Sequence, residues 1–232
     1  VGGRSEEKDE LIVKTPAKYA ALTGVNVLTG REAVSLDAAA KTVQARNLET
    51  GSMETYSYDR LVIATGASAA LPPLEGMDKK GVFKMRTPDD AISMRSYIEE
   101  NNVKKAVVIG AGFIGLEVAE NLKAQGISVT VIDFAPQVMP GIFDPEMAHY
   151  VKKQLLKNGI RVITGTKGET VLGEDTVTGI RTGAGTLPCT LLVSAAGIRP
   201  NTDFLADSGI QMYKGTIQVD AQMKTSLPDI YA

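Results

Sequence analysis

The chain has 232 residues, 44% of them hydrophobic, with one cysteine, one histidine, no tryptophan and a formal net charge of -2. That length suits one large domain or two small ones, and the apolar content is that of an ordinary packed core. The charge leaves no footprint for nucleic acid or an anionic membrane, no apolar run approaches bilayer length, and a lone Cys189 excludes an internal disulfide framework and fits a reducing, cytoplasmic setting.

Residues 1–10 are glycine and charge with almost nothing to bury, which predicts a loop or frayed end. Thr15 followed by Pro16 opens a short helix that Gly24 stops. Residues 25–28 read as a strand, and 32–36, 41–48 and 54–58 as a small antiparallel meander holding Tyr56 and Tyr58. Leu61-Val62-Ile63-Ala64 is fully apolar, the pattern of a buried parallel strand, and it empties into Thr65-Gly66-Ala67 and the stiff Leu71-Pro72-Pro73. Thr87 as N-cap, Pro88 at the first helical position and Asp89 and Asp90 in the first turn open a helix that connects to Lys104.

The next thirty residues carry the chemistry. Ala106-Val107-Val108-Ile109 is a strand that runs into Gly110-Ala111-Gly112-Phe113-Ile114-Gly115, a G-x-G-x-x-G. A helix follows to Gln125 and stops at Gly126, and Val129-Thr130-Val131-Ile132 is a second strand closed by Asp133. Gly110 allows the tight turn, Gly112 lets backbone approach a pyrophosphate, and Gly115 lets the helix pack on the strand. The helix N-terminus offers unpaired N–H groups and a positive dipole end. Asp133 stands about twenty residues on, the usual place for an acid that binds the adenosine ribose. A 2′-phosphate about 4 Å from that carboxylate would cost roughly 4 kcal/mol at an effective dielectric of 20, before screening. No Arg or Lys follows in residues 134–137 to offset it, so the pattern favours NAD(H) over NADP(H).

Asp144 and Pro145 start a further helix with Met147, Val151 and Leu155 on one face, and Gly159 ends it before a third strand at 160–163. Residues 169–172, 176–181 and 186–188 form a second meander, and 190–195 a buried strand leading to Ala196-Gly197-Ile198-Arg199-Pro200-Asn201. Residues 104–212 thus read as a nucleotide-binding domain. The organisation expected is a partial second domain at 1–76, a connecting segment at 77–103 and a return segment at 213–232. Cys189, with no basic neighbour to lower its pKa, reads as a structural thiol, and His149 as a solvated helical side chain; one His with one Cys makes no metal site.

In this order, a meander, an apolar strand ending Ala64-Thr65-Gly66, a Pro-rich exit, a connecting helix and a G-x-G-x-x-G strand resemble the pyridine nucleotide-disulfide oxidoreductases over nearly the whole chain. The coenzyme A-disulfide reductase and NADH oxidase branch is the most similar. The resemblance implies an α/β fold: a Rossmann-like three-layer NAD-binding domain with a small meander, plus part of an FAD-binding domain of the same kind. It also implies an FAD-dependent enzyme passing hydride from NADH to flavin and on to a disulfide, persulfide, peroxide or oxygen. By resemblance, Gly197, Arg199, Pro200 and Asn201 match the family's Gly-x-Arg-Pro-Asn loop, with Gly197 at the NAD site, and Thr65 and Gly66 lie beside the flavin. Glu117 stands where the family carries a Glu beside the nicotinamide; the alternative is a solvated first-turn acid stabilised by the helix dipole. Phe113 would cover the flavin until nicotinamide displaces it, and the alternative is a core aromatic, with Ile114 at the next variable position.

The family's first glycine fingerprint, its redox cysteine upstream of a segment like Gly2-Gly3, and its Gly-Asp flavin motif after a segment like 225–232 do not occur in the sequence, so the chain looks like an internal fragment. The expectation is retained NADH binding, weak or absent FAD binding and turnover in this chain, a small-molecule disulfide substrate for the parent, no nucleic-acid or membrane partner, and a monomer derived from a homodimeric parent. Two other readings stay open: a non-catalytic NAD(H)-binding module, and a flavoprotein reductase serving an iron–sulfur or haem partner.

Overall fold

The computed structural model describes residues 11–232, and the loop expected over 1–10, including Gly2-Gly3, lies outside the described residues. Packing divides the chain into two units, one of residues 69–198 and one of residues 12–68 with 199–232.

The first unit is built on a five-stranded parallel sheet in the order Val82–Lys84, Leu191–Ser194, Lys105–Ile109, Ser128–Ile132, Arg161–Ile163. Its strands are near-continuous apolar runs because both faces are covered, and successive side chains point to opposite faces. Ala106, Val108, Val129, Val131, Leu191 and Val193 pack under the helices Pro88–Glu100, Phe113–Ala124 and Pro145–Lys157, against Met94, Ile98, Val118, Leu122 and Ala148. Val107, Ile109, Ile132 and Leu192 face the meander Gly168–Leu172, Gly179–Thr182, Gly185–Pro188, against Val171, Val177, Ile180 and Leu187. Helices, parallel sheet and meander make three layers. Each fully buried Leu or Val contributes about 1.5–3 kcal/mol, so the sheet's central strands anchor this unit.

The helix ends follow the local chemistry. Thr87 and Asp90 form a reciprocal capping box, the Thr87 hydroxyl accepting from Asp90 N–H and the Asp90 carboxylate from Thr87 N–H at 2.8 Å. Asp144 accepts from Met147 N–H at 2.8 Å, and Gly126 takes the left-handed conformation after the fingerprint helix. The segment expected to connect two domains at 77–103 is part of this unit: it supplies the edge strand Val82–Lys84 and the Met94 and Ile98 of the core. Met147, placed on the apolar face by its spacing, is half-exposed, and Ala148 is the buried residue of that turn.

In the second unit, Arg31–Asp37, Thr42–Asn47 and Met53–Ser57 form the expected antiparallel meander. Leu61–Val62 pairs in parallel with Ile230–Tyr231, over a core of Leu36, Ile63, Leu205, Ile210 and Ile230. Lys41 Nζ donates to Asp229 Oδ2 at 2.6 Å, holding the Asp229 carboxyl below the usual carboxylate range. The helix Pro16–Thr23 forms as its cap predicts, with Gly24 left-handed, yet none of its side chains is buried. Two expectations are corrected. Residues 25–28 form no strand, since no neighbouring strand offers them a ladder and Val25 and Leu28 stay about half-exposed. The apolar run 61–64 is a strand only at Leu61–Val62, where Val62 is 70% exposed: pairing with one neighbour leaves part of it open to water.

Candidate functional site

A parallel α/β sheet gathers ligands where its strand order reverses. Here the chain leaves Lys105–Ile109 through a helix to Ser128–Ile132 on one side, and returns as Leu191–Ser194 on the other. The loops after those two neighbouring strands, Gly110 to Gly112 and Ala195 to Gly197, open onto one cavity of about 590 Å³. Leu71, Pro72 and Pro73 form another part of its wall, and Asp133, Phe134, Pro140 and Lys167 a third.

The glycine turn is fixed by close approaches that only glycine permits. Gly110 has φ +107°, and a Cβ there would sit 2.3 Å from the Ala195 carbonyl oxygen. A Cβ on Gly115 would lie 1.9 Å from the Gly110 carbonyl oxygen, so the helix rests directly on the turn. Gly112 has open space around it. It is the helix N-cap and makes no side-chain cap hydrogen bond, which leaves first-turn N–H groups free for an anion.

Asp133 is only 8% exposed, and both carboxylate oxygens are engaged. Ala111 N–H in the glycine turn donates to Oδ2 at 2.7 Å, and Ala135 N–H donates to Oδ1 at 2.8 Å. Sequence reasoning assigned this acid to a ribose; in the structure it braces the glycine turn. Gly110 N–H to Ile132 O at 2.8 Å and Met139 N–H to Ala111 O at 2.8 Å complete the brace.

Of the other expected residues, Gly197 lines the same cavity, at φ +112°. Phe113, Ile114 and Glu117 stand exposed on the first turns of the fingerprint helix. Phe113 is 61% exposed, which removes the alternative of a core aromatic. Thr65 and Gly66 belong to the other unit. Asn201 Nδ2 donates to Thr65 O at 3.0 Å, Thr65 Oγ1 to Asn201 O at 2.8 Å, and Asn201 N–H to Gly66 O at 3.0 Å. The Ala-Thr-Gly strand end is therefore clasped to the Gly-x-Arg-Pro-Asn loop, while Arg199 forms a two-pronged contact with Asp203 at 2.8 and 3.0 Å.

Cys189 is 2% exposed and burial pushes its thiol up to about 11, as suits a structural cysteine; His149 is exposed on its helix. No cluster of three or more metal-ligating side chains exists among the described residues, and none of their helices is long and apolar enough to cross a membrane. Sequence reasoning missed Lys167, the one cation lining the cavity among the described residues, and the wall at residues 70–74. Lys167 follows the edge strand Arg161–Ile163, so the rule that ligands sit beyond carboxyl ends of strands was its only signal.

The family described as pyridine nucleotide-disulphide oxidoreductase matches residues 3–232. An NADH oxidase of Methanocaldococcus jannaschii is 37% identical over 232 residues, which are 100% of this chain and 52% of that protein. An NAD-dependent persulfide reductase from A. fulgidus is 38% identical with a TM-score of 0.91, over 99% of this chain and 43% of the other. A water-forming NADH oxidase from Lactobacillus brevis, solved bound to NADH, is 29% identical with a TM-score of 0.90, over 99% and 50%. The chain spans about half the length of the curated relatives it matches. A mutant of the L. brevis protein, engineered as an NADPH oxidase and solved with NADPH, replaces a glycine, an aspartate 18 residues on, the two residues after it and a proline 5 further on. Gly115, Asp133, Phe134, Ala135 and Pro140 repeat that spacing here.

Proposed function

The chain belongs to the pyridine nucleotide-disulphide oxidoreductase family, and from that premise we propose an NADH-dependent flavoprotein oxidoreductase whose 69–198 unit holds NAD(H) in the crevice beside the glycine turn. The carrying observation is that turn: Gly110 and Gly115 are held where no side chain fits, and the uncapped helix start at Gly112 faces the cavity. The residues fit the dinucleotide. First-turn N–H groups and Lys167 take the diphosphate, Asp133 takes the adenosine ribose with the lone pairs its backbone partners leave, and Gly197 gives the nicotinamide end a wall without a side chain.

Glu117 would position the carboxamide by accepting from its amide, and Phe113, exposed at the start of the same helix, would cover the flavin until nicotinamide displaces it. For FAD, Gly66 offers a left-handed turn with no atom within 4 Å of a Cβ position, so a flat ring can approach the backbone, while the Thr65 hydroxyl is spent on Asn201. When bound, the nicotinamide supplies a hydride and the flavin accepts it. The ultimate acceptor belongs to the class of disulfide, persulfide, peroxide or oxygen. The spacing shared with the NADPH-accepting mutant supports NADH as the preferred donor, because Gly115, Asp133 and Pro140 keep the residue types that the mutant replaced.

Anaerobic mixing of the protein and FAD with NADH tests the reading. Saturable NADH binding with little or no bleaching of the flavin band is expected of this chain. No saturable NADH binding would overturn the reading, and a stoichiometric flavin band that NADH bleaches would show that the chain itself turns over.

A further inference from the structure

We propose that Phe134 is the platform on which the adenine ring stacks, which makes it a specificity residue for purine dinucleotides lying outside the glycine fingerprint. The inference rests on the NAD(H) reading above and extends it to the far end of the ligand.

The chain has five phenylalanines, and Phe113 and Phe134 are the two that are largely exposed, at 61% and 72%. An exposed phenyl ring on a floppy loop would mean little. Phe134, however, sits on fixed backbone. Asp133 N–H donates to Ile163 O at 3.0 Å, and Asp133 O accepts from Thr166 N–H at 2.9 Å. On the other side, Ala135 N–H is held by Asp133 Oδ1 at 2.8 Å, and Ala135 O accepts from Gly165 N–H at 2.7 Å. Four hydrogen bonds on its two neighbours therefore place a bare apolar ring at the cavity's edge. Of the two exposed rings, Phe134 lines the cavity beside the glycine turn. Phe113 begins the helix that follows the glycine turn, and Phe134 follows the acid assigned to the adenosine ribose. A ring one residue beyond the ribose anchor is within reach of the base attached to that ribose, and stacking is the contact that an aromatic face makes with a purine. The NADPH-accepting mutant of the L. brevis protein is altered at the position that this spacing equates with Phe134.

The test compares the 232-residue chain with Phe134→Ala and Phe134→Tyr, titrating NADH by nicotinamide fluorescence and ADP-ribose by competition. Phe134→Ala is expected to weaken both ligands by the same factor, roughly tenfold, as loss of one base–aromatic stack would; Phe134→Tyr should bind like the parent. In proton NMR, the adenine protons of ADP-ribose should shift upfield on binding to the parent and to Phe134→Tyr, and lose that shift with Phe134→Ala. Unchanged affinity in Phe134→Ala, or no ring-current shift in the parent, would overturn the platform while leaving the NAD(H) reading intact. A parent chain that binds neither NADH nor ADP-ribose would overturn that reading, and the platform with it.

Discussion

Asp133 braces the glycine turn with the same carboxylate that is proposed to take the ribose. Its oxygens hold the N–H groups of Ala111 and Ala135, so the acid shapes the glycine turn before any ligand arrives. Asp133→Ala leaves those donors without their partners, and a buried donor so orphaned costs about 1–3 kcal/mol. Urea unfolding of Asp133→Ala should show a loss of about 2 kcal/mol, measured without nucleotide; unchanged stability would mean that the carboxylate serves the ribose alone. The ribose assignment is an expectation from spacing, and the brace was not legible there, because a hydrogen bond from residue 111 to residue 133 exists only once strand and turn have folded together. Phe134 was invisible for a related reason. Sequence pattern cannot separate an exposed phenylalanine from a core one until the backbone direction at the strand end is known.

At the scale of elements, the meander of the second unit carries a small polar network with its own pH signature. Glu54 accepts from Arg31 Nε at 2.8 Å, from Asn47 Nδ2 at 3.0 Å and from the Tyr56 hydroxyl. Tyr56 first, then Arg31 and Asn47, hold the Glu54 carboxyl down to about 2 from 4.5. A depressed carboxylate gives stability that is fully present above its unfolded value and is lost as pH falls through its folded value. The meander's contribution from this group should therefore hold above pH 4.5 and disappear towards pH 2. Thermal unfolding of Glu54→Gln should approach the parent's at pH 2 and fall below it at pH 6; a constant gap would show that Glu54 acts by packing. The elements themselves were largely readable. Thr15-Pro16, Thr87-Pro88 and Asp144-Pro145 each mark a helix start that forms, because caps are chemistry of adjacent residues. Residues 25–28 and 61–64 misled, because an apolar run states that burial is possible, whereas a strand needs a neighbour to bond with.

Across the whole molecule, the division follows packing rather than chain order. Residues 12–68 and 199–232 make one unit although 130 residues lie between them, and Lys41 to Asp229 and Thr65 to Asn201 are among the bonds that close it. The fingerprint unit was readable as a fold because strand, turn, helix and strand are local in sequence. The wall at residues 70–74 and Lys167 come to the same cavity from loops far apart in the chain, which no local pattern reports. Both units together match a single family over nearly the whole chain.

On the proposed reading, the crevice between the glycine turn and residues 195–197 holds NADH. Isothermal titration of NADH into the chain and into Gly110→Ala tests it most directly, since an alanine there puts a Cβ 2.3 Å from the Ala195 oxygen at a φ that side chains rarely adopt. Saturable one-to-one binding to the parent, at least tenfold weaker in a Gly110→Ala protein that keeps its far-ultraviolet circular dichroism, is the predicted result. Equal binding by both proteins, or none by the parent, would contradict it.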